Sequence, residues 1–129
     1  MKSFKHINAT SVDEVLSLLD EYKNKAKLTA GGTDLLGNLK DNVYPEYPEL
    51  VISLRSIEGL NYIKEEDDAL KIGALTIIRD IERDADVRRK YPILVEAAHA
   101  VASPHIRHMG TIGGNICQDN RCWYYRDAG

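Results

Sequence analysis

With 129 residues, 43% of them hydrophobic and 29% charged, the chain fits one ordinary globular domain with a modest core, and is neither disordered nor fibrous. The formal net charge of -3, from 20 acidic residues against 17 Lys and Arg, provides no global basic face and disfavours nucleic acid and anionic membranes as partners. No apolar run approaches the roughly 18 residues of a spanning helix, and Met1-Lys2-Ser3-Phe4-Lys5-His6 has no apolar stretch behind its lysines, so a soluble cytoplasmic protein without a membrane span is expected.

Ser11, three residues before Glu14, sets up a capping box, and Val12, Val15, Leu16, Leu19 and Tyr22 follow at helical spacing, which predicts a helix over about residues 12 to 23. Lys27-Leu28-Thr29-Ala30 is extended in character and stopped by Gly31-Gly32, after which Thr33 or Asp34 caps a brief helix to about Lys40. Beyond Pro45 and Pro48, Leu50 to Leu54 reads as a short strand buried on both faces. The order up to here is strand, helix, strand, helix, strand, which implies an α/β lobe with a partly parallel sheet over residues 1–55.

Residues 56–129 read as the start of a second, α+β lobe. Leu60 to Lys64 and Ala69 to Ala74 form a hairpin around the acidic turn Glu65-Glu66-Asp67-Asp68. Thr76 then caps a helix with Ile77, Ile78 and Ile81 inward. Pro92 opens another, with Leu94, Ala97, Ala98, Val101 and Ala102 on one face. The acidic runs Glu65–Asp68 and Asp80–Asp86 read as solvated turns and helix faces rather than catalytic pairs.

Two glycine-rich loops carry the chemistry: Ala30-Gly31-Gly32-Thr33-Asp34-Leu35 and Gly110-Thr111-Ile112-Gly113-Gly114-Asn115. Glycines after a strand allow positive φ, so that successive amides can face one anion, and a following helix adds its N-terminal dipole. A carboxylate beside a phosphate is repulsive, so Asp34 is expected to act as a cap. An isolated Gly-Gly pair more often marks a tight turn; two such loops strengthen the anion reading. Neither matches a Rossmann fingerprint or a P-loop. Two separated backbone nests suit a cofactor with a long diphosphate lying across a crevice between the lobes, and FAD fits.

The first loop, followed by Ser103-Pro104-His105-Ile106-Arg107-His108-Met109-Gly110-Thr111-Ile112-Gly113-Gly114-Asn115, resembles the FAD-binding medium subunit of the molybdenum hydroxylases. That family includes xanthine dehydrogenase, carbon monoxide dehydrogenase and 4-hydroxybenzoyl-CoA reductase. Ile72-Gly73-Ala74-Leu75-Thr76 and the alanine-rich helix before Ser103 extend the match over essentially the whole chain. The resemblance implies a fold of the vanillyl-alcohol oxidase and p-cresol methylhydroxylase type, two α/β lobes enclosing FAD, here with the C-terminal part missing. It assigns Ala30, Gly31, Gly32, Thr33, Asp34, Leu35, Thr111, Gly113, Gly114 and Asn115 to cofactor contacts. Arg107 and His108 are left between a place near the flavin or diphosphate and a solvated loop. His105 and His108 alone do not make a zinc site.

Cys117 and Cys122, with four residues between them, suit cytoplasmic thiols or metal ligands better than a structural disulfide. The segment from Cys117 to Arg126 resembles the 4-hydroxybenzoyl-CoA reductase subset, whose flavin subunit carries an additional [4Fe-4S] cluster. The resemblance makes Cys122 a cluster ligand if the chain continues, because such a cluster ordinarily takes four thiolates and this sequence holds two. The 129 residues are therefore read as an N-terminal portion, inactive alone.

The function implied is that of an FAD-binding electron-transfer component of an oxidoreductase complex. It relays electrons between a molybdopterin-binding large subunit, a [2Fe-2S] small subunit and an external carrier. No catalytic acid or base is expected, since the flavin carries the electrons. The alternative is an assembly or interaction module that binds FAD poorly.

Overall fold

The computed structural model describes residues 1–126. It falls into two compact units: Met1–Glu58 joined by the described part of the segment that begins at Cys117, and Gly59–Ile116. The boundary expected after residue 55 thus lies at Glu58. Residues 117–126, expected in the second lobe, pack with the first, because they are tied there by hydrogen bonds from more than 80 positions away in sequence.

The first unit is a three-stranded parallel sheet in the order β1–β3–β2, formed by β1 (Lys5–Asn8), β2 (Ala26–Thr29) and β3 (Leu50–Ser53). Leu50 pairs with Lys5 on one side and Ala26 on the other. As the central strand of a parallel sheet, β3 is covered on both faces, which explains its unbroken apolar run: Leu50, Val51 and Ile52 are all buried. Each such side chain contributes roughly 1.5–3 kcal/mol on burial. Helix α1 (Val12–Tyr22) joins β1 to β2, and α2 (Leu35–Lys40) follows β2. Leu35 and Leu39 of α2 pack on Val51, with Phe4, Tyr44 and Tyr47 around them.

The capping box at α1 forms. Ser11 Oγ accepts the Glu14 amide at 3.1 Å, while Glu14 Oε2 accepts the amide of Thr10, one residue before the cap, at 2.8 Å. The helix buries less than its spacing suggests, since of its apolar residues only Val15 is fully covered and Val12 and Leu16 are exposed.

The second unit starts with the expected hairpin, β4 (Ile63–Glu66) and β5 (Ala69–Ile72), antiparallel. Asp67 and Asp68 turn it with φ of 54° and 57°, a left-handed pair that aspartate tolerates better than most residues. Helices α3 (Ile78–Arg83), α4 (Ala85–Lys90) and α5 (Pro92–Ala100) build the core around Ile78, Ile81, Val87 and Ala98. Two shorter helices follow, α6 (Pro104–Arg107) and α7 (Ile112–Ile116). In the first unit's C-terminal segment lies α8 (Trp123–Arg126).

Three local expectations change. Thr76 does not cap α3: it is buried, and its hydroxyl donates to the Tyr62 carbonyl and accepts the Tyr62 amide, clamping the strand edge from both sides. Part of the acidic run 80–86 is a cap, as Asp84 Oδ1 accepts the amides of Asp86 and Val87 and starts α4. Helix α5 stops at Ala100, short of Val101 and Ala102, because Ser103 precedes Pro104 and is held extended at φ −116°, ψ 162°.

Gly73 shows how tightly the second unit closes. A Cβ there would lie 2.3 Å from the Leu60 carbonyl oxygen, beside the Gly73 N–H to Tyr62 and Leu75 N–H to Leu60 hydrogen bonds. Gly37, inside α2, has nothing within 4 Å of the same position. Gly73→Ala should therefore cost about 2 kcal/mol or more, whereas Gly37→Ala should gain up to about 1 kcal/mol. Chemical denaturation of the two variants checks the contrast.

Candidate FAD-binding loops

The first loop leaves the end of β2, where the Leu54 amide bonds the Thr29 carbonyl, and runs half-buried into α2. Gly32 sits at φ +75°, a left-handed position that costs a side-chain-bearing residue about 1–2 kcal/mol. Among hydrogen bonds between described residues, none uses the amides of Gly31, Gly32, Thr33, Asp34 or Leu35 as donor. Five consecutive N–H groups are thus available to an acceptor from outside, which suits phosphate oxygens. Thr33 is exposed and Ala30 half-buried. Leu35 contributes its amide only, because its side chain belongs to the core.

Asp34 stands at the N-terminal boundary of α2, yet its side chain makes no capping bond. Its carboxylate is taken by other donors. Oδ2 accepts the Asp119 amide at 3.0 Å and Asn38 Nδ2 at 3.1 Å, and Oδ1 accepts Nη2 of Arg126 at 3.0 Å and of Arg121 at 3.2 Å. The expected cap is replaced by a junction with the C-terminal segment.

Asn38 is fully buried, and its Nδ2 also lies 3.0 Å from Asp119 Oδ2 and 3.2 Å from the Tyr44 hydroxyl. Its orientation is dictated by the carboxylates, since the reversed amide would point a carbonyl at two anions. Tyr44 donates to Asp119 Oδ2 at 2.5 Å, and burial, followed by the hydrogen bond to that carboxylate, pushes its hydroxyl up to about 12. Lys27 lies 4.4 Å from the centre of the Tyr44 ring. Asn38, Tyr44, Asp119, Arg121 and Arg126 have no loop signature; the one local hint is that Asp34 and Asn38 share a face of α2 at i, i+4.

The second loop is built differently. It is not a free nest of amides: Gly110 N donates to Ile106 O, Ile112 N to Thr76 O, Gly113 N to Ala74 O, Asn115 N to Thr111 O and Gly114 N to Thr111 Oγ1. Neither Gly113 nor Gly114 has positive φ. Gly113 is required by close approach, since a Cβ would meet the Ala74 carbonyl at 2.8 Å. This loop offers an exposed Gly114 and a half-buried Asn115, with Thr111 buried beneath them.

Arg107 is settled as a structural residue. It is buried, with Nε on Glu82 at 3.2 Å and Nη1 on the Val101 carbonyl at 2.9 Å, so it fastens α6 to α3 and to the end of α5. The His99 hydrogen bond, then the Arg107 charge, hold the Glu82 carboxyl below its usual range against the opposing effect of burial. His108 is exposed.

Cys117 and Cys122 are both exposed and free. Among the described residues no group of three or more His, Cys, Asp or Glu side chains could hold a metal, so a four-thiolate cluster is not supplied by them. Nor is any helix among them long and apolar enough to cross a membrane.

Residues 2–122 match the family model described as the FAD binding domain in molybdopterin dehydrogenase. The chain belongs to this family. It is 38% identical over 117 residues to the nicotinate dehydrogenase FAD-subunit of Eubacterium barkeri, covering 90% of this chain and 39% of that protein. The carbon monoxide dehydrogenase medium chain of Hydrogenophaga pseudoflava is also 38% identical, over 113 residues, covering 88% and 39%. A crystal structure of the Cu,Mo-CO dehydrogenase in its cyanide-inactivated form superposes with a TM-score of 0.83 at 34% identity, again over 88% of this chain and 39% of that one. The α/β fold of this FAD-binding family is therefore that of the present chain, which spans about 39% of the length of these relatives.

Two measurements follow from these networks. Arg107→Met leaves the Val101 carbonyl and Glu82 Oε2 without their donor and should cost on the order of 2 kcal/mol in denaturation. Because the folded Glu82 carboxyl is held low, its stabilising contribution is complete above its usual range and fades as pH falls through the folded value. Tyr44 has the opposite sign: ionisation of the unfolded tyrosine above about 10 weakens folding progressively as pH rises toward the folded value near 12. Ultraviolet titration should show one late tyrosine that disappears in Tyr44→Phe.

Proposed function

We propose that this chain is the FAD-holding part of an electron-transfer subunit in a molybdopterin-dependent hydroxylase, dehydrogenase or reductase complex. FAD supplies reversible one- and two-electron chemistry when bound. The partners in this reading are a molybdopterin-binding large subunit, a [2Fe-2S] small subunit and an external electron carrier. Support comes from family membership and from the similarity to a nicotinate dehydrogenase FAD-subunit and a carbon monoxide dehydrogenase medium chain.

The observation that carries the site assignment is the run of five unspent amides from Gly31 to Leu35. These amides and Ala30 hold phosphate oxygens, while Thr33 adds a hydroxyl. In the second loop, Gly113 and Gly114 let the cofactor come close to the backbone, and the side chains of Thr111 and Asn115 provide polar contacts. Phosphate binding by amides rests on the first loop, since the second spends five of its six internally, all but that of Thr111. Asp34 acts through the geometry of the loop. Cys122 would serve a [4Fe-4S] cluster only alongside thiolates from outside the described residues.

The second reading, an assembly module with weak FAD affinity, is favoured by the largely internally paired second loop. The two readings separate in one experiment. The visible spectrum of the purified chain, titrated with FAD, should show bound flavin, and FAD should raise the melting temperature. Gly32→Val and Gly114→Val should each lower affinity at least about tenfold while circular dichroism keeps its helical signal. A variant that retains full affinity removes that loop from the site; no binding by the unaltered chain leaves the assembly reading.

A further inference from the structure

A carboxylate in a loop that receives phosphate is a physical contradiction unless something offsets it. Asp34 is such a carboxylate, one residue before the helix and inside the run of free amides. Left alone it has two poor options. It can fold back onto the amides of its own loop or of the first turn of α2, as aspartates at helix starts commonly do, and consume the donors. Otherwise it can point outward and repel the ligand's phosphates.

The C-terminal segment removes both options. Arg126 and Arg121 hold Oδ1, and the Asp119 amide holds Oδ2, so the carboxylate is drawn away from its own loop. Arg126 is the stronger partner. Its side chain and that of Asp34 are 22% and 16% exposed, against 54% for Arg121, so its pairing is less screened by water. Arg126 is itself fixed, with Nε on the Asn120 carbonyl at 2.8 Å and Nη2 also 3.3 Å from the Asp119 carbonyl. The second carboxylate of the cluster, Asp119, is covered by the Tyr44 hydroxyl, Asn38 Nδ2 and, at 3.3 Å, the Tyr125 hydroxyl. Asp119 is thus held by neutral donors, and both guanidinium groups are left to Asp34, so the carboxylate in the loop has its charge offset.

We propose that Arg126, supported by Arg121, is a positioning residue for FAD: it acts as the internal counterion of Asp34 and keeps the first loop's amides open and uncharged toward the diphosphate. The proposal rests on the reading of that loop as an FAD contact. It makes the segment after Cys117 part of the cofactor site without requiring it to touch the cofactor.

The test is a double-mutant cycle on the full chain, read as FAD affinity by flavin absorbance and fluorescence. Arg126→Ala should weaken FAD about tenfold, and Arg126→Lys, which keeps the charge, should recover most of the loss. The decisive variant is Asp34→Asn with Arg126→Ala. Once the carboxylate is gone no counterion is needed, and the double variant should bind FAD better than Arg126→Ala alone. A merely structural arginine would show no such rescue, because the asparagine restores none of its hydrogen bonds. Wild-type affinity in Arg126→Ala, or a double variant no better than the single, overturns the proposal. If Gly32→Val loses FAD while Arg126→Ala does not, only the counterion role falls. If Gly32→Val or the unaltered chain shows the loop does not bind FAD, the loop reading falls and takes this one with it.

Discussion

The first unit is organised around the requirement that a carboxylate withdrawn from water must find donors. Asp34 meets it with four, drawn from α2 and from a segment more than 80 residues further along. Those contacts settle several things together. They leave the loop amides unspent, orient Asn38, and bring Asp119 to Tyr44. They also give residues 119–126 a fixed position on the first unit. Exposed pairs elsewhere, such as Arg89 with Asp86, have no such reach, since water competes for both partners.

The two glycine loops look alike as sequence and differ as physics. In the first, Gly32 is needed for its left-handed φ, and the neighbouring amides have no partner among the described residues. In the second, Gly113 is needed because the Ala74 carbonyl leaves no room for a Cβ, and five of the six amides close an internal network. Glycine content alone records that a side chain is not tolerated. Whether the reason is a dihedral angle or a neighbouring atom depends on residues nearly 40 positions away. The pair of loops is thus asymmetric, one supplying amide donors and the other a close-packed wall with a few polar side chains.

Much of the fold was legible because its causes are local. The Ser11–Glu14 box, the apolar run of β3, the hairpin around Asp67 and Asp68 and the proline that opens α5 are all written within a few residues of where they act. The family resemblance singled out both loops as candidate cofactor contacts. What escaped was non-local. Thr76 has the residue type of a cap and instead clamps Tyr62, 14 positions back. Asp34 has the type and position of a cap, but its carboxylate is claimed by Arg126, 92 positions on. Arg107 could be read as loop or ligand residue until Glu82 and Val101 were seen to surround it. A side chain with several possible partners reveals its choice only when the chain has folded.

The chain order of the units has a consequence for synthesis. Gly59–Ile116 is one continuous stretch whose contacts are local, whereas the first unit takes its polar seal from residues that follow that stretch. As the polypeptide leaves the ribosome, sheet and loop are made first, yet Asp34 waits for its arginines until the whole second unit has emerged. The carboxylate is then still free to occupy the loop's own amides. On the proposed role of Arg126, the first glycine loop acquires its open form only once residues 119–126 have emerged, so its timing is set by residues distant in sequence rather than by those that form the loop.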